Sequence, residues 1–177
     1  MIFIETKLKG AFAIEIERKE DFRGFFARTF CRHEFSHHGL KTQFVQCSIS
    51  YNERKGTLRG MHFQSAPMQE AKLIRCTRGS IFDAIIDLRR DSPTYKKHFT
   101  IDLTAETGSA LYIPEDFAHG FQTLEDGTEV LYQMTEFFAP DLARGVRWND
   151  PAFGIRWPEV DNRIILDRDQ SYALFSD

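Results

Sequence analysis

The chain has 177 residues, 42% of them hydrophobic and 28% charged, with a formal net charge of −3. This length suits a single domain, residues 1–177, with its own core, and the charge excludes a global basic field of the kind that binds nucleic acid. No apolar run approaches membrane-spanning length and no secretory leader precedes Lys7, so a cytoplasmic protein without membrane or nucleic-acid partners is expected.

In chain order, residues 2–5 read as a short strand, an edge candidate, and Ala11 to Glu17 alternates as a strand should. Arg18 to Asp21 is expected to be a charged turn and Gly24 to Phe30 a second strand. Arg32 to His38 has the length of one short helix, ended by Gly39. Phe44 to Ser50 is a strand candidate, followed by a polar loop from Asn52 to Gly56. Lys72 to Thr77 and Ile81 to Leu88 flank Arg78-Gly79-Ser80 and predict a hairpin. Strands are expected over His98 to Leu103, from Leu111 to Ile113 and on to Phe117 to Thr123, and over Val130 to Phe138. Trp148 to Trp157, with two Trp and Pro151 and with Pro158 just beyond it, reads as irregular, and a helix capped by Asp167 is expected to begin the last segment. About ten short strands and few helices predict an all-β sandwich or barrel, as does the 14% aromatic content. Cys31, Cys47 and Cys76 are odd in number, without a C-x-x-C, and read as reduced thiols.

The stretch that organises the rest is Gly56-Thr57-Leu58-Arg59-Gly60-Met61-His62-Phe63-Gln64. Side chains alternate across a strand, which puts Leu58, Gly60, His62 and Gln64 on one face and Thr57, Arg59, Met61 and Phe63 on the other. Alternation therefore separates Arg59 from His62, unless a bulge at Gly60 re-aims one of them. Imidazole titrates near neutral pH, so His62 is a candidate general base, one that requires a carboxylate to orient it.

The sequence resembles the nucleotide-sugar 3,5-epimerases, the dTDP-4-dehydrorhamnose 3,5-epimerase family. Besides the stretch around His62, the likeness rests on Asp21-x-Arg23-Gly24-x-Phe26, Phe44-Val45-Gln46, Lys72-Leu73-Ile74-Arg75-Cys76 and Asp87-Leu88-Arg89. It continues through Ile113-Pro114-x-x-Phe117-Ala118-His119-Gly120-Phe121, Tyr132, Trp148-Asn149-Asp150 and Ile155-x-Trp157-Pro158. It implies a double-sheet jelly roll of the cupin type with a few short helices, and a homodimer with strands exchanged between subunits. It implies an isomerase of deoxysugar biosynthesis that inverts C3, C5 or both of a nucleoside-diphosphate 4-keto-6-deoxyhexose through an enolate.

The resemblance also assigns roles. His62 becomes the base, with its carboxylate in Leu166-Asp167-Arg168-Asp169: Asp169, or alternatively Asp167. Lys72 serves the enolate oxygen and Tyr132 returns the proton. Relatives often carry a second tyrosine six residues on, a position assigned in this chain to Phe137. His119 lies against the substrate, and Arg23 and Arg59 take the diphosphate, whose oxygens suit a guanidinium fork; Arg23 reaches in from the second subunit. Phe25, Arg28, Gln46, Ser48 and Arg168 complete the expected binding set. Arg28 stands where many relatives have Glu and Ser48 where they have Asn, and the loop from Tyr51 to Lys55 reads one residue long. These departures leave the nucleotide open among dTDP, CDP and GDP. No cofactor is expected, since no Rossmann glycine fingerprint is visible. Nor is a metal, since His62 and His119 lack an H-x-H partner. A sugar-binding jelly roll without catalysis and a metal-dependent cupin enzyme are the alternatives.

Overall fold

The computed structural model describes residues 1–175, so the last two residues of the expected 1–177 domain lie outside the described residues. Its strands are β1 (Ile2–Glu5), β2 (Phe12–Glu15), β3 (Lys19–Asp21), β4 (Gly24–Phe26), β5 (Gln46–Asn52), β6 (Thr57–Gln64), β7 (Lys72–Arg78) and β8 (Ser80–Asp87). They continue with β9 (His98–Thr104), β10 (Ala110–Ile113), β11 (Phe117–Thr123), β12 (Thr128–Met134), β13 (Ala143–Gly145) and β14 (Ile164–Ile165). Two short helices, α1 (Arg32–His37) and α2 (Asp167–Ser171), accompany them.

The strands form a double-sheet jelly roll. The first sheet runs β1-β2-β10-β7-β12-β5 and the second β13-β6-β11-β8-β9, with β14 added in parallel to β6. Inward-facing Ile74, Cys76, Leu111 and Val130 of the first sheet meet Ile81, Ile85, Leu103 and Phe121 of the second in the central core. The outer face of the second sheet, including Leu58, Met61, Ala84 and Ile86, is covered by Val146 and, from the irregular segment expected there, by Phe153 and Trp157. On the outer face of the first sheet Phe35 of α1 is fully buried against Ile14, Leu73 and Tyr112, a side chain whose burial stabilises by roughly 1.5–3 kcal/mol.

Three expectations require correction. Lys72–Arg78 and Ser80–Asp87 are not a hairpin: β7 pairs with β10 and β12, β8 with β9 and β11. Gly79, at φ +73, turns a corner from one sheet to the other. Both strands are almost wholly buried, so each finds ladder partners on its two sides and neither needs the other. Arg18 to Asp21 is not a turn either, because Lys19–Asp21 pairs with Gly24–Phe26 and the turn falls on Phe22 and Arg23. Asp167 does not cap the last helix; Leu166 holds that position and Asp167 lies in the first turn.

Candidate active site

The site is built where β6 meets β11. His119 stands opposite His62 and Phe121 opposite Arg59, so Gly60 and Met61 together face Gly120 alone. This is a bulge, and it reverses the alternation of β6 midway. Leu58 and Met61 both join the outer core, while Arg59 and His62 both line the inner cavity. Glycine is required on both sides of the bulge. Gly60 has φ +138, and a Cβ there would stand 2.5 Å from the Gly120 Cα. A Cβ on Gly120 would stand 2.8 Å from the Arg59 carbonyl oxygen and 3.0 Å from the Gly60 Cα, both backbone atoms, so only glycine allows the strands to approach this closely.

A cavity of about 450 Å³ opens between the sheets at this point. The second sheet contributes Arg59, His62 and His119. The first contributes Gln46, Ser48, Lys72, Tyr132 and Met134, and the loops add Glu70 and Phe138. Of the twelve expected site residues, the structure gathers seven on this wall: Gln46, Ser48, Arg59, His62, Lys72, His119 and Tyr132.

His62 Nε2 lies 2.8 Å from Asp169 Oδ1. The carboxylate comes from α2, which docks on β6, and it is the Asp169 side chain, not the exposed Asp167, that meets the imidazole. Its other oxygen accepts the Gly60 N–H at 3.1 Å, and Arg168 Nε donates to Oδ1 at 3.2 Å. Burial pushes the Asp169 carboxyl up, but the His62 hydrogen bond and charge, the Gly60 N–H and Arg168 outweigh it and hold the group below the usual carboxylate range. Asp169 is 1% exposed while His62 is 34% exposed: the carboxylate is sealed and the ring reaches the cavity. With Nε2 donating to Asp169, Nδ1 keeps its lone pair.

Lys72 Nζ donates to Glu70 Oε1 at 3.1 Å and to the His62 carbonyl at 3.4 Å. Tyr132 enters from the opposite sheet to His62, and its ring centroid is 5.7 Å from that of His119. Burial, then the negative charge of Asp83, pushes the Tyr132 phenol far above its usual range, so it holds its proton at neutral pH. His119 is itself paired, Nε2 to Asp83 Oδ2 at 3.0 Å. Burial raises the Asp83 carboxyl, against the opposing pull of His119 and Lys72. Arg59 Nε donates to Asn52 Oδ1 at 2.8 Å, which sets the direction of its guanidinium.

Other expected residues lie elsewhere. Arg168 is exposed at the rim, its guanidinium on Asp169 and 3.4 Å from His62 Nε2. Arg23 bonds its neighbour Asp21, Phe25 lies under the Arg18 guanidinium, and Arg28 pairs with Glu34; none of the three lines this chain's cavity. The aromatic position beyond Tyr132 is corrected from Phe137 to Phe138. Both side chains are exposed, but Phe138 lines the cavity, with its N–H donating to Gln46 Oε1 at 2.7 Å, and Phe137 does not. Asp83, Glu70 and Asn52 were not singled out from the sequence. Asp83 had a signal, a carboxylate at an inward position of the apolar run Ser80–Asp87; Glu70 lies in a loop and Asn52 ends β5 next to one, and neither had any. Among the described residues no group of three or more His, Cys, Asp or Glu side chains is arranged to hold a metal ion.

The geometry has close counterparts. Residues 5–177 match the family model described as dTDP-4-dehydrorhamnose 3,5-epimerase. The dTDP-4-dehydrorhamnose 3,5-epimerase of Methanothermobacter thermautotrophicus is 44% identical, over 96% of this chain and 92% of its own. The crystal structure of the Elizabethkingia anophelis dTDP-4-dehydrorhamnose 3,5-epimerase superposes with a TM-score of 0.95 at 33% identity, covering 99% of this chain and 96% of that one. The Bacillus anthracis enzyme of the same name, crystallised with TDP and PPi bound, gives 0.93 at 39% identity, covering 98% of this chain and 99% of its own. The chain belongs to the dTDP-4-dehydrorhamnose 3,5-epimerase family.

Proposed function

We propose that the protein is an isomerase that inverts C3, C5 or both of a dTDP-4-keto-6-deoxyhexose, with the whole chain acting as one catalytic domain. The 4-keto group acidifies the hydrogens on its two neighbouring carbons. His62 takes one of these protons on Nδ1, the C–H electron pair moves into the carbonyl as an enolate, and Asp169 stabilises the imidazolium. Lys72 sits beside the oxygen that becomes negative. Tyr132 then gives its proton to the carbon from the other side, and solvent restores both groups.

The observation that supports this reading best is the placement of a paired histidine and a protonated tyrosine on opposite sheets of one cavity that Lys72 also lines. Arg59, held by Asn52, is assigned to the diphosphate, while Gln46, Ser48, His119 and Arg168 border the sugar nucleotide. Thymidine diphosphate is the favoured nucleotide because the Bacillus anthracis relative was crystallised with TDP. Arg23, Phe25 and Arg28 are assigned to the nucleotide end of a second copy's site in a homodimer. The exposed Phe22, Phe25 and Phe26 on the β3–β4 hairpin, with Ile49 and Tyr51 on edge strand β5, favour such an assembly. A cytoplasmic location and a place in dTDP-rhamnose and O-antigen supply complete the proposal. The test is incubation with a dTDP-4-keto-6-deoxyhexose in heavy water, without nicotinamide, followed by NMR. Deuterium at C3 or C5 with inverted configuration is expected; a sugar recovered with neither exchange nor inversion refutes the proposal.

A further inference from the structure

The cavity is rich in groups that favour an anion: Arg59, Lys72, His62 and His119. Glu70 is a carboxylate on the same wall, with its side chain 12% exposed. A carboxylate facing a site for a diphosphate sugar opposes binding, so its use has to lie elsewhere. It is also held in place. Ala71, between Glu70 and Lys72, donates its N–H to Thr135 Oγ1 at 2.9 Å and accepts the Thr135 N–H at 3.0 Å.

An ammonium has three N–H donors. On Lys72 one goes to Glu70 Oε1 and one to the His62 carbonyl, which leaves a third for a substrate oxygen. A competitor lies close by. Asp83 Oδ1 is buried with no hydrogen-bond partner, and the Asp83 carboxyl already feels the charge of Lys72. We propose that Glu70 is a positioning residue: it tethers Lys72 so that one N–H stays aimed at the substrate's carbonyl oxygen rather than swinging to Asp83. This rests on the enolate role of Lys72 proposed above. A donor fixed before charge develops stabilises that charge without reorganising during the reaction.

The test is a double-mutant cycle on turnover of a dTDP-4-keto-6-deoxyhexose, using Glu70→Gln, Lys72→Met and the pair. Glu70→Gln keeps the shape and removes the charge. It should lower kcat about tenfold, the size usual for coupled contacting residues, while KM changes less than about twofold and the thermal midpoint stays within about 2 °C. Lys72→Met should lower kcat further, by about 10² or more, and adding Glu70→Gln to it should change nothing. Wild-type kcat in Glu70→Gln beside a slow Lys72→Met overturns the tether alone. An undiminished tenfold loss in the double variant also overturns it, because Glu70 would then act without Lys72. Wild-type kcat in Lys72→Met instead overturns the enolate role, and the tether with it.

Discussion

Two histidine–aspartate pairs face each other across paired strands of the second sheet, and they are built for opposite ends. In one, His62 is 34% exposed and Asp169 has both oxygens occupied, by His62 and Arg168 on one and the Gly60 N–H on the other. In the other, His119 is 3% exposed and Asp83 has one buried oxygen without a partner. The first carboxyl is held below the usual range and the second pushed above it. Pair geometry alone, 2.8 Å against 3.0 Å, does not separate a base from a wall residue. What separates them is whether the carboxylate's charge is satisfied and whether the ring meets solvent.

The sharpest way to break this comparison is at the exposed pair. His62→Ala should lower the deuterium exchange of the sugar by about 10² to 10⁴-fold, the usual cost of losing a general base. Asp169→Asn should be slow as well, with the sugar nucleotide still bound by equilibrium titration. Exchange at the wild-type rate in His62→Ala removes that residue from the mechanism.

The next effect separates removal of the proton from its return. Tyr132→Phe keeps the ring against His119 but deletes the donor. His62 can still form the enolate and hand a solvent-derived proton back to the same face. Exchange in heavy water should persist while inverted product falls by about 10²-fold or more. With Phe138 rather than a hydroxyl on the adjoining wall, no second tyrosine lines the cavity among the described residues to replace it. A near wild-type yield of inverted sugar would identify another acid.

The smallest effect belongs to the closed pair. Asp83→Asn should lower kcat by less than about tenfold and leave stability at neutral pH undiminished, since it deletes a buried carboxylate with an unpartnered oxygen. The two pairs should also differ in sign with pH. Asp169 has a depressed folded value, so its stabilisation is present above the unfolded value of about 4 and is lost as pH falls through the folded one. Asp83 has a raised folded value, so the cost of its charge is relieved as pH falls through it. Urea unfolding from about pH 7 to about pH 3 checks this across the unfolded carboxylate range. On acidification the wild type should lose stability relative to Asp169→Asn and gain relative to Asp83→Asn. Parallel slopes would make the pairs equivalent.

The strand-rich class was legible in the sequence, as was the placement of His62 next to a possible break in a strand, because alternation and glycine placement are local signals. The bulge at Gly60 was legible for the same reason: only a break in the alternation brings Arg59 and His62 to one wall. The corner at Gly79 was not, since a tight glycine turn between two apolar runs has the same local signature whether the strands pair or part into different sheets. Glu70 and Asn52 gain meaning only through Lys72 and Arg59, partners that folding brings within reach of them. Arg23 and Arg28 were expected in the site, and one chain leaves both at its surface.

The docking of α2 on β6 has a consequence in time. His62 is made early, and its carboxylate is the hundred-and-seventh residue after it. Chains emerge from the ribosome N-terminus first, at roughly 5–20 residues per second. For several seconds, then, β6, β7 and β8 can be outside the ribosome with a histidine that has no counter-charge, while the segment that carries its carboxylate is still being assembled. The pair is therefore completed only when α2 has been made and has docked on β6, and until then the imidazole of His62 stands without the carboxylate that holds it.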